Sequence, residues 1–425
     1  MVVMNLIKFN DKDKRVLLQG KEFYYGILIE APTAIVESKI LSTFLNNVNK
    51  PFVLDPSTYY FHPELNTNED RPSLVQLREK YGLSEEEFVL YPEDFTEEFA
   101  KNFTKNVLNF QANHFASAQK GTLLKYITRD QILKPAWYIP PYFPIENFND
   151  PWVEVNIKLM EYATDFFDNI FPIIGILEKD TLLDFDEKLL RDFIKRIPSK
   201  MLGLWIAEFD KKSISEEYLR GYYQLVEEIK QYKKGIILMY ANFFDIMPQP
   251  YGIAHGICGG DLKYVGSGGG KEYVKMYIPF LRREFTLEKA TAILARYGDS
   301  FGYSATKEML DTIRTLNHLD KKYSTLKEKG KTPKGFRISQ LSEKEKEEYK
   351  EIEDKIRHLK DTIKMEFLKE RNHELRELDV TSEINNIKRT IEAVYKRETS
   401  TRVAKYYVGH LERWIAAIQE DNNLV

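Results

Sequence analysis

The sequence predicts an α/β chain, a (β/α)8 TIM-like barrel that is irregular around strands 6 to 8 and carries a C-terminal α-helical appendage. Three observations predict it. Short apolar runs alternate with amphipathic stretches through the first two thirds of the chain, the pattern of βαβ units over a parallel sheet. Two of these runs, Ile236 to Ala241 and Lys275 to Pro279, are apolar enough to be parallel strands buried on both faces. Each run ends in a polar or acidic residue, as strands do when they feed an active-site face. Eight such runs fit a closed barrel better than a doubly wound sheet, and no GxGxxG or GxxxxGK[ST] follows a strand. An open α/β sheet is the alternative.

Taken in order, Glu22 to Ile29 ends at Glu30, and Pro32 and Thr33 open a helix to Val48. Pro51 to Leu54 ends at Asp55, and Pro135 to Ile139 ends in Pro140, Pro141 and Tyr142. Between them lies an insertion, Phe61 to Lys134, with helices expected at Pro72 to Tyr81 and Thr96 to Ala118. Trp152 to Phe167 reads as a helix. Ile170 to Leu177 ends at Glu178, before a helix around Phe185 to Arg196. Met201 to Ala207 ends at Glu208 and Asp210, and Ser215, Glu216 and Glu217 start a helix to Gln231. Three further runs lie between Gly235 and Arg283: Ile236 to Ala241, one after Tyr251, and Lys275 to Pro279. Only Phe243 to Tyr251 links the first two, and a glycine-rich loop stands where a helix belongs before the third. Thr286 to Gly298 reads as the closing helix and Ser304 to Leu319 as another.

This gives two domains, a barrel over 1–317 and a basic linker with a helical appendage over 318–425. The linker carries Lys327, Lys329, Lys331 and Lys334, so it either lies along a phosphate backbone or is a solvated connection. Ser342 to Leu375 has apolar residues at helical spacing, and helices near Ser382 to Lys396 and Thr401 to Gln419 can pack on it. Residues 342–425 thus suit self-association or a protein partner.

A net charge of only −3 gives no global field toward a polyanion. One cysteine, Cys258, excludes intrachain disulfides and a cysteine-based zinc cluster, and fits a reducing cytoplasm. No run is apolar enough to span a membrane or to form a signal peptide, so a soluble protein is expected. No HxH or HExxH spacing occurs, and His62, His114 and His255 lie on separate elements, so neither a metal nor another cofactor is expected.

Barrel geometry brings strand ends to one face, which gathers Glu30, Asp55, Tyr142, Glu178, Glu208, Asp210, Asn242 and His255. Glu178 and Asp210 can equally cap the helices that follow them. Asp55 and Glu208 directly end strongly apolar runs and are the stronger candidates for chemistry. His255, within GIAHGIC, is either a hydrogen-bonded core histidine or a general base. Gly256, Gly259, Gly260 and Gly269, with Lys271, form either an anion cradle or a flexible connection.

Asp55 in FVLDPSTYYF, and Asn242 followed by FFDIMP, in which Phe244 and Asp245 precede Pro248, resemble pieces of the tRNA-guanine transglycosylase-like barrels. The resemblance covers about a dozen residues. It implies that Asp55 contacts the exchanged base and takes part in proton transfer. Three departures accompany it: Asn242 stands at the nucleophile position, the cysteine-rich zinc site is absent, and the glycine-rich segment follows the Phe-Asp pair. A covalent step would therefore pass to Asp245 or Glu208, or be lost.

The expected function is that of an N-glycosyl-bond enzyme, exchanging or releasing a base of a nucleic acid or nucleotide. Breaking such a bond places positive charge on the sugar and negative charge on the base, so carboxylates with aromatic rings to stack the base suit it. Asp55, Glu208, Asp245 and His255 are the candidate catalytic groups. Glu30, Tyr59, Tyr142, Asn242 and Phe243 join the glycines and Lys271 as candidate binding groups. A phosphosugar- or glycoside-processing barrel, and a non-catalytic subunit docking through its helical tail, are the rival readings.

Overall fold

The structure is a computed structural model that describes residues 3–65, 71–84, 88–119, 133–232, 235–257, 275–332 and 335–421. It divides into two units: one of Met1–Gly256 and Leu375–Val425, the other of Lys271–Glu374. These cut the chain differently from the division at 317 read in the sequence, because the last helices belong with the sheet.

The first unit is organised on a seven-stranded, all-parallel curled sheet, a half-barrel. Its strands are β1 (Met4–Lys8), β2 (Gly26–Glu30), β3 (Phe52–Asp55), β4 (Ile173–Ile176), β5 (Met201–Ile206), β6 (Gly235–Met239) and β7 (Gly252–His255), in the order β3-β2-β1-β7-β6-β5-β4. The segment Pro135 to Ile139 forms no strand of this sheet. It makes isolated parallel bridges instead, Trp137 to Val53 and Tyr138 to Ile170.

Apolar runs without alternation are what this sheet requires, since both faces are covered. Leu6, Leu28, Val53, Ile139, Phe171, Ile173, Trp205, Ile237, Met239 and Ala254 meet in one buried cluster on one face. The intervening residues, among them Ile7, Ile27, Leu54, Ile174, Leu204 and Leu238, are buried too. Gly175 makes room for the largest of the cluster, because a Cβ there would stand 2.6 Å from the Trp205 ring.

Helices α1 (Lys14–Gln19), α2 (Ala31–Val36), α3 (Ser38–Val48), α4 (Pro72–Tyr81), α5 (Glu97–Gln119), α6 (Pro151–Thr164), α7 (Glu187–Arg196) and α8 (Glu216–Gln231) connect the strands. Their starts follow side-chain chemistry. Asp150 accepts from Trp152 N–H ahead of α6, and Asp186 from Lys188 and Leu189 N–H ahead of α7. In α8, Leu219, Tyr222, Leu225, Val226 and Ile229 form the buried stripe that a period of 3.6 dictates.

Two expectations about strands need correction. Met4–Lys8, where the sequence reading places no strand, is a central strand paired with both β2 and β7. Lys275 to Pro279, expected as the eighth parallel strand, lies in the second unit: β8 (Lys275–Ile278) pairs antiparallel with β9 (Arg283–Thr286). An apolar run reports burial, not its partner or direction.

The second unit continues through α9 (Leu287–Ile293), a π-helical turn at Leu294–Gly298, α10 (Thr306–Lys329), a small hairpin of β10 (Lys331–Thr332) and β11 (Gly335–Phe336), and most of α11 (Glu343–Glu377). The basic stretch is thus not an open linker. Lys327 and Lys329 end α10, Tyr323 stacks on Tyr349 of α11, and Lys329 pairs with Glu345 at 2.7 Å. Back in the first unit, α12 (Val380–Arg397) packs on α13 (Thr401–Asp421), and α13 packs on α8. Among the described residues no helix is long and apolar enough to cross a membrane.

Candidate functional site

In parallel α/β sheets the strand carboxyl ends collect reactive groups, and here the ends of β1, β2, β3 and β6 do so. Glu30 and Asp55 are direct partners in the register of β2 and β3, so the same edge presents two neighbouring carboxylates. Lys8, at the end of β1, pairs with Glu30 at 3.0 Å. Tyr240, just past β6, donates its hydroxyl to Glu30 at 2.9 Å, and the Lys8 ammonium lies over its ring.

Asp55 is held from the other side. Tyr142 donates its hydroxyl to Oδ1 and Oδ2 at 3.1 and 3.2 Å, and Ser57 N–H donates to Oδ1 at 2.8 Å. Tyr59 completes the group, its ring 4.6 Å from that of Tyr60 and 5.9 Å from those of Tyr142 and Trp205. Burial, reinforced by neighbouring carboxylates, pushes the Tyr59, Tyr142 and Tyr240 phenols well above the usual tyrosine range. They stay neutral, and Tyr142 and Tyr240 donate to Asp55 and Glu30.

The backbone is strained here. Ser57, Glu208 and Tyr240, beyond the ends of β3, β5 and β6, have φ of 55°, 48° and 53°, the left-handed region that costs a non-glycine residue energy. At Tyr240 this turn sets the hydroxyl toward Glu30. At Glu208 it turns the side chain outward: Glu208 is exposed and lines a cleft of about 340 Å³ with Glu64, Leu65, Leu177, Glu178, Lys179 and Ala207. Leu65, Leu177 and Ala207 also belong to the core cluster beneath Tyr59 and Tyr142, so this cleft adjoins the carboxylate group.

The other expected residues lie elsewhere. Asp245 is fully buried, bound by the Tyr222 hydroxyl, by Asn242 N–H at 2.6 Å and by Lys211 at 3.3 Å. Asn242 turns its own Oδ1 to Phe244 N–H, and Phe243 stacks on Trp414 of α13. These three pack a corner beneath α13. His255 is buried, with Nε2 2.9 Å from Asn5 Oδ1 and Nδ1 2.8 Å from Gly256 O, the arrangement of a hydrogen-bonded core histidine. Asp210 caps its own turn through Lys212 N–H and Ser213. Gly259, Gly260, Gly269, Lys271 and Lys334 lie outside the described residues.

Three residues of the site, Lys8, Tyr60 and Tyr240, escape a reading of strand ends. Lys8 belongs to the unrecognised strand, Tyr60 lies in the turn after Asp55, and Tyr240 sits inside what reads as an apolar run. The YY pair within FVLDPSTYYF was the available signal for Tyr60. Among the described residues no group of three or more acidic, histidine or cysteine side chains is placed to hold a metal. No protein-family model matches the chain, and no curated protein is significantly similar to it.

Proposed function

We propose that the first unit closes into an eight-stranded (β/α)8 barrel and acts on an N-glycosyl bond, exchanging or releasing a base. Two observations support the closure. Ala136 N–H donates to Phe52 O on one side of the 135–139 segment, and Phe171 N–H donates to Tyr138 O on the other. On this reading the segment takes the eighth strand's place between the edge strands β3 and β4, which also suits its position in chain order.

The pairing of Glu30 with Asp55 in register, inside a ring of tyrosines, carries the functional reading. Glu30, the more open carboxylate, stabilises the positive charge that grows on the sugar as the C1′–N bond breaks and its electron pair leaves with the base. Asp55, tied to the Tyr142 hydroxyl, takes the proton of the attacking water or incoming base and passes it to the departing one. Tyr59 and Tyr60 supply aromatic faces for the base. Glu64, Glu178 and Glu208 on the adjoining cleft, against Lys179, favour an uncharged nucleoside portion there over bare phosphate. A nucleic-acid substrate therefore enters through an extruded nucleotide, its backbone held away from this rim.

The test is chromatographic detection of free base from nucleosides, RNA and DNA, with and without an added base. Release or exchange that falls by about 100-fold in D55N and E30Q supports the assignment. Absence of any released or exchanged base, or full activity in both variants, sinks it. Asp55 is only 1% exposed and Tyr142 likewise, which favours as a second reading a sealed polar core in a non-catalytic barrel. On that reading the same variants change stability and no substrate turns over.

A further inference from the structure

Away from the carboxylate pair, His62 is a buried polar group whose bonding is incomplete. It is 3% exposed. Its Nδ1 accepts from Glu64 N–H at 3.2 Å, which fixes the neutral ring as the tautomer protonated on Nε2. Nε2 itself has no hydrogen-bond partner among the described residues. Burial lowers the pKa of the ring to about 4, so near neutral pH it stays an uncharged donor. A buried N–H without an acceptor is destabilising, and such groups mark places where something else supplies the bond.

His62 lines a cleft of about 350 Å³ with Glu64, Tyr91, Glu146, Asn147 and Trp152. Trp152 forms its back wall, its ring 5.2 Å from that of His62, whereas Tyr91 is 48% exposed at the rim. Glu64 and Glu146 stand close enough for a hydrogen bond between them to raise the Glu146 pKa, ahead of the effect of burial. The ligand must therefore accept from an imidazole N–H, donate to carboxylates and lie against an aromatic ring. An anion is repelled by the carboxylates, and an ammonium cannot accept from His62. A hydroxyl does both.

We infer that the His62 cleft is a binding subsite for a neutral sugar ring, with Nε2–H donating to a ring hydroxyl and Tyr91 as its platform. Glu64 also lines the cleft beside the carboxylate pair. The subsite stands independently of the glycosyl-bond reading.

The experiment titrates the full-length chain with methyl glycosides of ribose, glucose, galactose and mannose, following the His62 Nε2–H resonance. Inorganic phosphate and spermidine serve as the anionic and cationic probes. One of the glycosides should shift that resonance, and H62F and Y91A should each weaken its binding by roughly tenfold. Tyr91 is a rim residue, so Y91A remains informative even where H62F does not fold. D55N should leave this binding unchanged whatever it does to base release. Failure of every glycoside at tens of millimolar would mean that the cleft holds water only and overturns the assignment. So would preferential binding of spermidine or phosphate, binding indifferent to both His62 and Tyr91, or binding lost in D55N.

Discussion

Lys211 and Asp245 form an ion pair at 3.3 Å with both side chains sealed from water. Around them the Tyr222 hydroxyl donates to Asp245, the Lys211 ammonium lies over the Phe209 and Tyr222 rings, and Lys211 O accepts from Trp414 Nε1 at 2.7 Å. This network stitches the turn after β6 to α8 and α13. Asp245→Ala strands a buried ammonium and should cost about 3–5 kcal/mol in chemical denaturation. A D245A protein of unchanged stability and lost turnover would return Asp245 to chemistry.

That outcome bears on what the sequence made legible. The alternation of apolar runs and amphipathic stretches reports burial directly, so the parallel α/β class and the strand ends at Glu30 and Asp55 could be read. Met4–Lys8 could not, because Asn5 and Lys8 break a five-residue run whose apolar character is completed by pairing with β2 and β7. Asn5 is spent on His255 and Lys8 on Glu30, and both partners are distant in sequence. Asp245 reads as reactive beside Phe244 until Lys211 is seen to neutralise it. Glu208 ends an apolar run as Asp55 does, yet the structure leaves it exposed on a cleft while Asp55 is buried. The helical run that contains Lys327 and Lys329 was concealed by the glycines and proline that follow.

Gly221 lies in the middle of α8, where an alanine would ordinarily favour the helix. A Cβ at this position would fall 1.8 Å from Leu182 O, which is backbone and cannot step aside. Gly221→Ala should therefore destabilise the chain by about 1–3 kcal/mol, despite the ~1 kcal/mol that alanine contributes to helix propensity. Thermal unfolding measures it, and a raised Tm would show that α8 can shift away from the turn at Leu182.

Tyr142 donates its hydroxyl to Asp55, and Y142F keeps its ring while removing that donor. A hydrogen bond to a buried carboxylate contributes about 1.5–3 kcal/mol, so a loss of that size is expected in denaturant. If Asp55 exchanges a proton with the base, Y142F should also displace the acid limb of the pH–rate profile. A change in stability with an unmoved profile would confine Tyr142 to a packing role.

Of the lysines that could lie along a phosphate backbone, those among the described residues are engaged. Lys329 pairs with Glu345, Lys331 with Glu328 at 3.1 Å, and Lys327 lies over the Tyr323 ring. Binding of single-stranded or duplex nucleic acid through this stretch should release few counterions, with log K falling against log[salt] by a slope no steeper than about −2. A slope several times steeper, reduced by K327E with K329E, would establish a polyanion surface there.

Glu370, on α11 in the second unit, provides the clearest pH dependence. Burial, with the Glu374 and Glu366 carboxylates adding to it and Arg282 and Lys369 opposing, raises its pKa from 4.5 to about 7. Between those values the folded chain holds a proton that the unfolded chain has released. Stability from this group is therefore full below about pH 4.5 and falls as the pH rises toward 7. Glu370→Gln mimics the protonated form and carries no such slope. Its stability advantage over the parent chain should be near zero at the acid end, grow across this window and level off above it. Glu370 keeps partial solvent contact, so the plateau should reach only about 1–2 kcal/mol. Denaturant midpoints for both chains across the window measure the difference. A constant offset would mean that Glu370 is ionised throughout, its charge balanced by Arg282.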